Sequence, residues 1–499
     1  MASRALIKIF NHSKTSLTGI RIILARTYWS TENPVTRDDL YFRINAVTDP
    51  HCSVTPVLQK WIEGRSHVKE SELRRIIRSL RSRRRYSHAL EVSQWMSSNG
   101  SRFSSGDSAV QLDLIGRVHG LISAKSFFYS LKEEDKSVQT YSALLNCYVQ
   151  EGLVDEALSL VKKMKEMGFL TSPLPYNDIM CLYTKTGQHE KVPDVLSEMK
   201  RNGVSPDIFS YRVCMNSYGA RADYNSMGKV LEEMNSRRDI KRDWLTYSVV
   251  ANYYIKGGLK EMGIYYLKEC EKLCKTAEGF NFLISSYATL GIKDEMERLW
   301  ALQKVKCKKH VNRDYMTGLS SLVKLGELEE AESLLEEWEL SCTTFDFRVP
   351  NALLIGYCQR GLVEKAEAKL QDIIKRRKTA NPSSWSIIAT GYAYNNNMEK
   401  AFECFNEALA VQAENRDWKP KESLISSILS WLGENGEIED AEAFVNSLKS
   451  KVPINREMYH ALLKAYVRNG REVEGLLESM KNDKIDEDEE TMKIISLQK

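Results

Sequence analysis

The sequence predicts an all-α protein, a right-handed superhelical α-solenoid of about 12 helix-turn-helix repeats of ~35 residues each. Four observations predict it. An aromatic residue, a second one seven residues on and a small turn residue four beyond that recur along the chain, as in Tyr141, Tyr148 and Gly152, then Tyr176, Tyr183 and Gly187. The turn positions fall at 152, 187, 222, 258, 291, 326, 361, 396, 436 and 470, with gaps of 35, 35, 36, 33, 35, 35, 35, 40 and 34. Glycine (26) and proline (11) together make up about 7% of 499 residues, against about 12% in average usage, which leaves little room for long irregular loops. Finally, 42% hydrophobic and 28% charged residues describe a globular chain, not a disordered one.

Each repeat reads as two antiparallel helices. Positions seven apart share a helix face, so Tyr141 and Tyr148 point the same way. A glycine at the turn takes the left-handed conformation that ends the first helix. The small residue five later, such as Ala157 or Ala366, lets the second helix approach closely, and Leu160 and Met164 continue its apolar stripe. One pair cannot bury its own apolar face, so neighbours must stack, leaving a long concave groove.

In chain order, residues 1–30 come first. They carry Arg4, Lys8, Lys14, Arg21 and Arg26, are rich in Ser, Thr and Leu, and precede the first acid, Glu32. This composition predicts an organelle transit peptide, for the mitochondrion with the plastid as alternative, cut near Tyr28 to Ser30. Residues 31–69 read as an amino-terminal capping segment and 70–490 as the repeat array. Residues 491–499 are left as a carboxy-terminal tail. Charge is uneven along this plan: residues 1–104 hold 18 Lys/Arg against 8 Asp/Glu, and the rest holds 53 against 59. Without residues 1–30 the net charge falls from +4 to about −1, so binding nucleic acid through bulk positive charge is not expected. What stays basic is local. Arg74, Arg78, Arg81 and Arg85 recur at three- and four-residue spacing and form one helical stripe, a candidate for phosphate contacts or simply a solvated face.

Enzymatic chemistry finds no support. The ten cysteines are scattered without a CxxC pair, and the eight histidines are dispersed, so neither a metal site nor a nucleophile–base arrangement is expected. A deaminase tail would need His-x-Glu with Pro-Cys-x-x-Cys, and no phosphate loop of the GxxxxGK[ST] type occurs. The acids of 483–490 read as a solvated end cap. No apolar run reaches membrane-spanning length. We expect no catalytic residue, metal, cofactor, membrane partner or small-molecule substrate.

With these residues in view, the chain resembles the pentatricopeptide repeat family, of the P class and plant mitochondrial type. The resemblance rests on Gln-Thr-Tyr-Ser at 139–142, Glu156-Ala157, Met164, Met199, Gly203 and Pro206-Asp207. Counted from those anchors, the repeats are 138–172, 173–207, 208–243, 244–276, 277–311, 312–346, 347–381, 382–421, 422–455 and 456–490, with weaker copies at 70–104 and 105–137. The resemblance implies single-stranded RNA along the concave groove, one base per repeat, read by the fifth and last residues of each repeat. Carried over, Asn177/Asp207 matches a uracil pair, Asn351/Asn381 a pyrimidine pair and Ser426/Asn455 an adenine pair. Ser142/Ser172, Arg212/Asp243, Ser248/Thr276, Asn281/Val311, Met316/Asp346, Ser386/Lys421 and His460/Glu490 depart from the usual combinations.

Two functions follow as expectations. The first is an RNA-binding factor acting in processing, stability or translation of a mitochondrial transcript. It would select uracil, a pyrimidine five nucleotides on and adenine two further, with the amino-terminal repeats on the 5′ side. The second is a structural component of the mitochondrial ribosome or another large ribonucleoprotein, in contact with ribosomal RNA and ribosomal proteins.

Overall fold

A computed structural model describes residues 40–497 apart from 48, 50–51, 65–67, 100–102, 308, 378, 412–417 and 450. The expected transit segment, 1–30, lies outside the described residues. Among those described there are helices and turns and no strand. The chain divides into two compact units, whose described residues end at Leu273 in one and begin at Cys274 in the other.

In the first unit, short helices Leu40–Ala46 and Thr55–Gly64 precede a pair, Glu70–Ser82 and Tyr86–Ser98. Helix Ser105–Ser130 follows, broken at Gly120, whose φ of 81° and ψ of 176° are not helical. Four regular pairs complete the unit. Their first helices are Val138–Glu151, Pro173–Lys185, Ile208–Ala220 and Trp244–Lys256. The second unit opens with Ala277–Leu290 and continues with first helices Asn312–Leu325, Arg348–Gln359, Pro382–Tyr394, Glu422–Asn435 and Arg456–Arg468. Within each unit, a first helix packs against its own second helix and against the first helix of the next pair. That two-layer stacking is what a repeat with one apolar face must do.

The turn chemistry explains the aromatic-to-glycine spacing. Nine of the ten predicted turn positions have positive φ, from 57° at Ala222 to 94° at Gly326, including the non-glycine Asn396. At each of these nine, the residue after the turn donates its backbone N–H to the carbonyl of the residue four before the turn: Leu153 to Tyr148 at 3.1 Å, Gln188 to Tyr183 at 2.8 Å, Leu362 to Tyr357 at 2.9 Å. This is the six-to-one bond of a left-handed helix cap. Gly436 departs, with φ −78° and ψ 162°, and makes only the bond to Leu432. It follows the longest gap in the series, 40 residues.

The aromatic residues do two different jobs. The ring of the first packs inside its pair and its hydroxyl reaches the end of the second helix, as from Tyr211 to Glu233 at 2.8 Å. Burial first, and Glu233 second, push the Tyr211 hydroxyl up to about 12. The second aromatic reaches back to the preceding second helix, as from Tyr392 to Glu367 at 2.6 Å. The small residues Ala157, Ala331, Ala366, Ala401 and Ala441 are fully buried where the two helices meet. Ion pairs such as Lys165–Glu198 at 3.2 Å and Lys304–Glu337 at 2.6 Å link successive second helices.

Residues 489–496 are not an extended tail. They form helix Glu489–Ser496, started by a capping box between Asp488 and Thr491. Ile494 closes the stack by burying itself against Leu463 and Val473. The cause is sequence-local: an acid, then Thr three residues on, then apolar residues, is a helix start. No helix of the described residues is long and apolar enough to cross a membrane.

Candidate nucleic-acid interface

The fifth position of a repeat lies in the first turns of its first helix, four residues into the repeat after the helix-starting residue. There the side chain meets the start of the next first helix. Asn177 is the clearest case. Its Nδ2 donates to Asp207 Oδ1 at 3.3 Å, and its Oδ1 accepts the Ser210 hydroxyl at 2.7 Å. Asp207 in turn caps its helix, taking Ser210 N at 2.8 Å, and lies 2.9 Å from Ser210 Oγ, whose single proton is shared between Asp207 Oδ1 and Asn177 Oδ1. Three side chains form a closed ring, and the amide of Asn177 is held in one orientation.

The other proposed readers vary on this arrangement. Asn351 Oδ1 accepts the Ser384 hydroxyl at 2.7 Å, while Asn381 caps the same helix through Ser383 N at 2.9 Å. Ser426 donates to Glu457 Oε2 at 2.6 Å, and Asn455 caps through Met458 N at 3.1 Å. In these pairs each side chain bonds its own partner at the helix start. Ser142 is buried, and Ser172 starts its helix without a side-chain cap bond. Among the remaining positions, Asn281 donates to Asp314 at 2.6 Å and accepts from Gln303 at 3.0 Å. Ser248 turns back to the Leu245 carbonyl at 2.7 Å. His460 is set against Asp488 at 3.3 Å and Thr491 at 2.9 Å. The residue starting that next helix is therefore Asp488, not the Glu490 that counting suggested.

The residue that sequence counting missed is the third of the next first helix: Ser210, Asp314, Ser384 or Thr491. It ties a fifth residue to the helix start. Its signal is the N-cap pattern itself, such as Asp207 followed three residues later by Ser210, or Asp488 followed by Thr491.

The arginine stripe is largely spent inside the fold. Arg74 grips Asp107, Nε to Oδ1 at 3.0 Å and Nη2 to Oδ2 at 2.9 Å. Arg81 pairs with Asp113 at 2.9 Å, beside Arg117 at 3.1 Å and the Asn146 amide at 2.9 Å. Burial alone would raise the Asp113 carboxyl, but Arg117 and Arg81 together hold it below the usual carboxylate range. Arg85 donates to the carbonyls of Ile44 at 3.3 Å and Val47 and to His88 Nδ1. Arg78 alone of the four is exposed. Its neighbours Arg74, Arg81, Asp107 and Phe103 line a shallow pocket with it.

Among the described residues, no group of three or more His, Cys, Asp or Glu side chains could hold a metal ion. The buried thiols of Cys147, Cys214, Cys358 and Cys404 are pushed up to about 12, in each case chiefly by burial, which leaves them poor nucleophiles.

Comparison with known proteins joins this geometry to a family. A profile described as "PPR repeat family" matches residues 175–220, and one described as "PPR repeat" matches 139–169, 319–341, 349–377 and 383–410. A mitochondrial pentatricopeptide repeat-containing protein of Arabidopsis thaliana is 48% identical over 478 residues, 95% of this chain and 97% of the relative. The chain belongs to the pentatricopeptide repeat family. It is of the P class, with plant mitochondrial relatives. A second pentatricopeptide repeat protein from the same plant, also named as mitochondrial, is 35% identical over 87% of this chain and 88% of its own length. The large ribosomal subunit protein mL101 of Arabidopsis thaliana is 31% identical over 92% of this chain and 94% of its own. The crystal structure of the maize pentatricopeptide repeat protein PPR10 aligns with 98% of this chain and 71% of that chain, at 18% identity and a TM-score of 0.44.

Proposed function

We propose that this pentatricopeptide repeat protein binds single-stranded RNA along its first helices and acts in mitochondrial RNA processing, stability or translation, as a binding protein and not an enzyme. The observation that carries the reading is the Asn177–Asp207–Ser210 ring. It holds an amide and a carboxylate together at one recurrent position, as the reading of a base edge requires. The repeats taken for this are 138–172 through 456–490. Asn177/Asp207 selects uracil, Asn351/Asn381 a pyrimidine and Ser426/Asn455 adenine, while Ser142/Ser172 contributes an unselective contact. Arg78 is the phosphate contact of the basic stripe, with Arg74, Arg81 and Arg85 holding the surface around it. The mitochondrial placement is supported by the names of the relatives and by the Arg-bearing composition of residues 1–30.

A second reading has its own support. The similarity to mL101, and a stripe whose arginines mostly serve the fold, favour a component of the mitochondrial ribosome.

Cross-linking of the tagged protein in isolated mitochondria, followed by sequencing of the attached RNA, tests both. Peaks at one or a few messenger or intron sites, with uracil and pyrimidine five nucleotides apart, are expected for the first reading. Peaks confined to ribosomal RNA, with co-sedimentation on a ribosomal subunit at high salt, would replace it with the second.

A further inference from the structure

The second helices of the carboxy-terminal unit enclose a cavity that RNA reading leaves unused. It lies between helices Lys293–Lys306 and Leu328–Ser341, over the first helix Asn312–Leu325. Its volume is about 430 Å³. Met296, Trp300 and Leu334 give it an apolar floor, and the exposed Glu297, Glu330 and Glu337 stand on its rim. Gly318 keeps it open. A Cβ at that position would come within 2.9 Å of Leu334 Cδ2 and 3.4 Å of the Trp300 ring.

The charge on the rim is unbalanced. Helix Leu328–Ser341 carries six glutamates and neither lysine nor arginine. The Lys293 ammonium is shared by three carboxylates, Glu330 at 2.5 Å, Glu327 at 3.1 Å and Glu297 at 3.6 Å. Glu330 first and Glu327 second raise it above the ordinary lysine range. One cation against three anions leaves two negative charges over. Glu337, by contrast, is matched by Lys304 at 2.6 Å. The Lys304 Nζ also stands 5.4 Å from the centre of the Trp300 ring. A cation set between a carboxylate and the indole is thus an arrangement this surface already uses.

That pattern selects the occupant. Surplus acid repels RNA phosphate and anionic lipid. Among the described residues, no group of His, Cys, Asp or Glu could hold a metal ion. A guanidinium meets both halves of the cavity. Its plane stacks on an indole, its N–H groups pair with carboxylates, and its alkyl stem covers apolar surface. An ammonium has the charge without the plane.

We propose that this cavity docks an arginine-bearing segment of a partner protein, with one arginine seated against Trp300 and the edge formed by Glu297 and Glu330. The proposal stands apart from both RNA readings, since no fifth or last residue of a repeat lines the cavity.

The test measures binding of short fluorescent peptides to the full-length protein by anisotropy at near-physiological salt. One peptide alternates arginine and leucine, a second lysine and leucine, a third glutamate and leucine, all of equal length. The arginine peptide is expected to bind, the lysine peptide about threefold more weakly, and the glutamate peptide not at all. Glu297→Gln with Glu330→Gln leaves Lys293 with Glu327 alone, a balanced pair, and is expected to weaken the arginine peptide about fivefold. Trp300→Leu keeps apolar bulk without the indole face and is expected to cost about fivefold. Glu329→Gln with Glu336→Gln removes the same charge from exposed positions outside the cavity and is expected to cost less than about twofold. Equal losses from the two glutamine pairs overturn the proposal in favour of diffuse attraction. Equal binding of the arginine and lysine peptides overturns the guanidinium seat. Weaker binding of poly(U) by the cavity variants would place the cavity on the RNA path and overturns the protein partner.

Discussion

Asn177 and Asp207 lie thirty residues apart in sequence, yet Asn177 Nδ2 donates to Asp207 Oδ1 at 3.3 Å, and Ser210 bonds both. The amide is thus oriented before any ligand arrives, which lowers the ordering cost of a base contact. Ser210→Ala removes the hydroxyl that fixes Asn177 Oδ1 but leaves the amide and carboxylate in place. Folding stability should fall by about 1 kcal/mol, the usual worth of one such bond. Discrimination of uracil over cytosine at that nucleotide should fall about 3- to 10-fold while the affinity for a non-cognate RNA stays level. Equal loss for all RNAs would mean that Ser210 supports the fold and not the selection.

Asp113 shows the same economy of charge in the amino-terminal unit. It is a buried carboxylate with Arg81 at 2.9 Å, Arg117 at 3.1 Å and the Asn146 amide at 2.9 Å. Asp113→Asn leaves two guanidiniums facing a neutral group. Removing one partner of a fully buried pair costs about 3–5 kcal/mol; Arg81 and Arg117 keep some contact with water, so about 2–3 kcal/mol is expected here. Urea unfolding of the variant should show the midpoint lowered with an unchanged slope.

The same carboxylate sets an acid limit. Its folded pKa lies below the unfolded value, which is about 3.9. A depressed carboxylate contributes stability that is complete above the unfolded pKa and lost as pH falls through the folded one. Stability measured from pH 6 downward should therefore begin to drop near pH 4 and continue below it. In Asp113→Asn this part of the slope should be absent. An identical slope in the variant would assign the acid sensitivity to other carboxylates, Asp107 first among them.

How much of this was written in the sequence depends on the range of the interaction. The helix pairs were legible because the aromatic, aromatic, glycine spacing is set within one turn and its cap. The nine positive φ values and the carbonyl of the second aromatic accepting the cap bond show the cause. Gly436 was illegible because a glycine tolerates the left-handed region without requiring it, and here it takes φ −78° and ψ 162°. Of the arginine stripe, Arg74, Arg78 and Arg81 share helix Glu70–Ser82, whereas Arg85 falls past its end, at the start of the next helix. That face meets Asp107 and Asp113, however, and partners some thirty residues away leave no local mark. The meeting of fifth residue and next helix start followed from the repeat period at Asn177, but not at Ser248, which turns back to the Leu245 carbonyl, nor at the last repeat, where the chain starts its closing helix two residues early at Asp488.

The turn positions predict opposite signs for two mirror substitutions. Gly152 has φ 78° and Ala222 has φ 57°. Gly152→Ala forces an L side chain into the left-handed region and should cost about 1 kcal/mol. Ala222→Gly removes that same strain at an equivalent turn and should gain about 0.5 kcal/mol, less than the full strain because glycine also loosens the unfolded chain. Thermal midpoints of the two variants, moving in opposite directions, check the account. Destabilisation by both would show that Ala222 packs well enough to outweigh its backbone strain.

The closing helix predicts where unfolding begins at the carboxy-terminal end. Ile494 is 3% exposed and packs on Leu463 and Val473, with Tyr466, Val467, Leu476 and Leu477 around them. Truncating a buried isoleucine to alanine costs about 2–4 kcal/mol. In a stack of nearest-neighbour units that loss is felt by the adjoining pair before the rest. Ile494→Ala should therefore lower amide exchange protection in Arg456–Arg468 and Glu474–Asn482, and leave Asn312–Leu325 nearly unchanged. The exposed Met492 of the same helix supplies the control, since Met492→Ala should alter neither. A uniform loss of protection across the whole unit would mean that the unit unfolds as one cooperative body and that the final helix is part of its core.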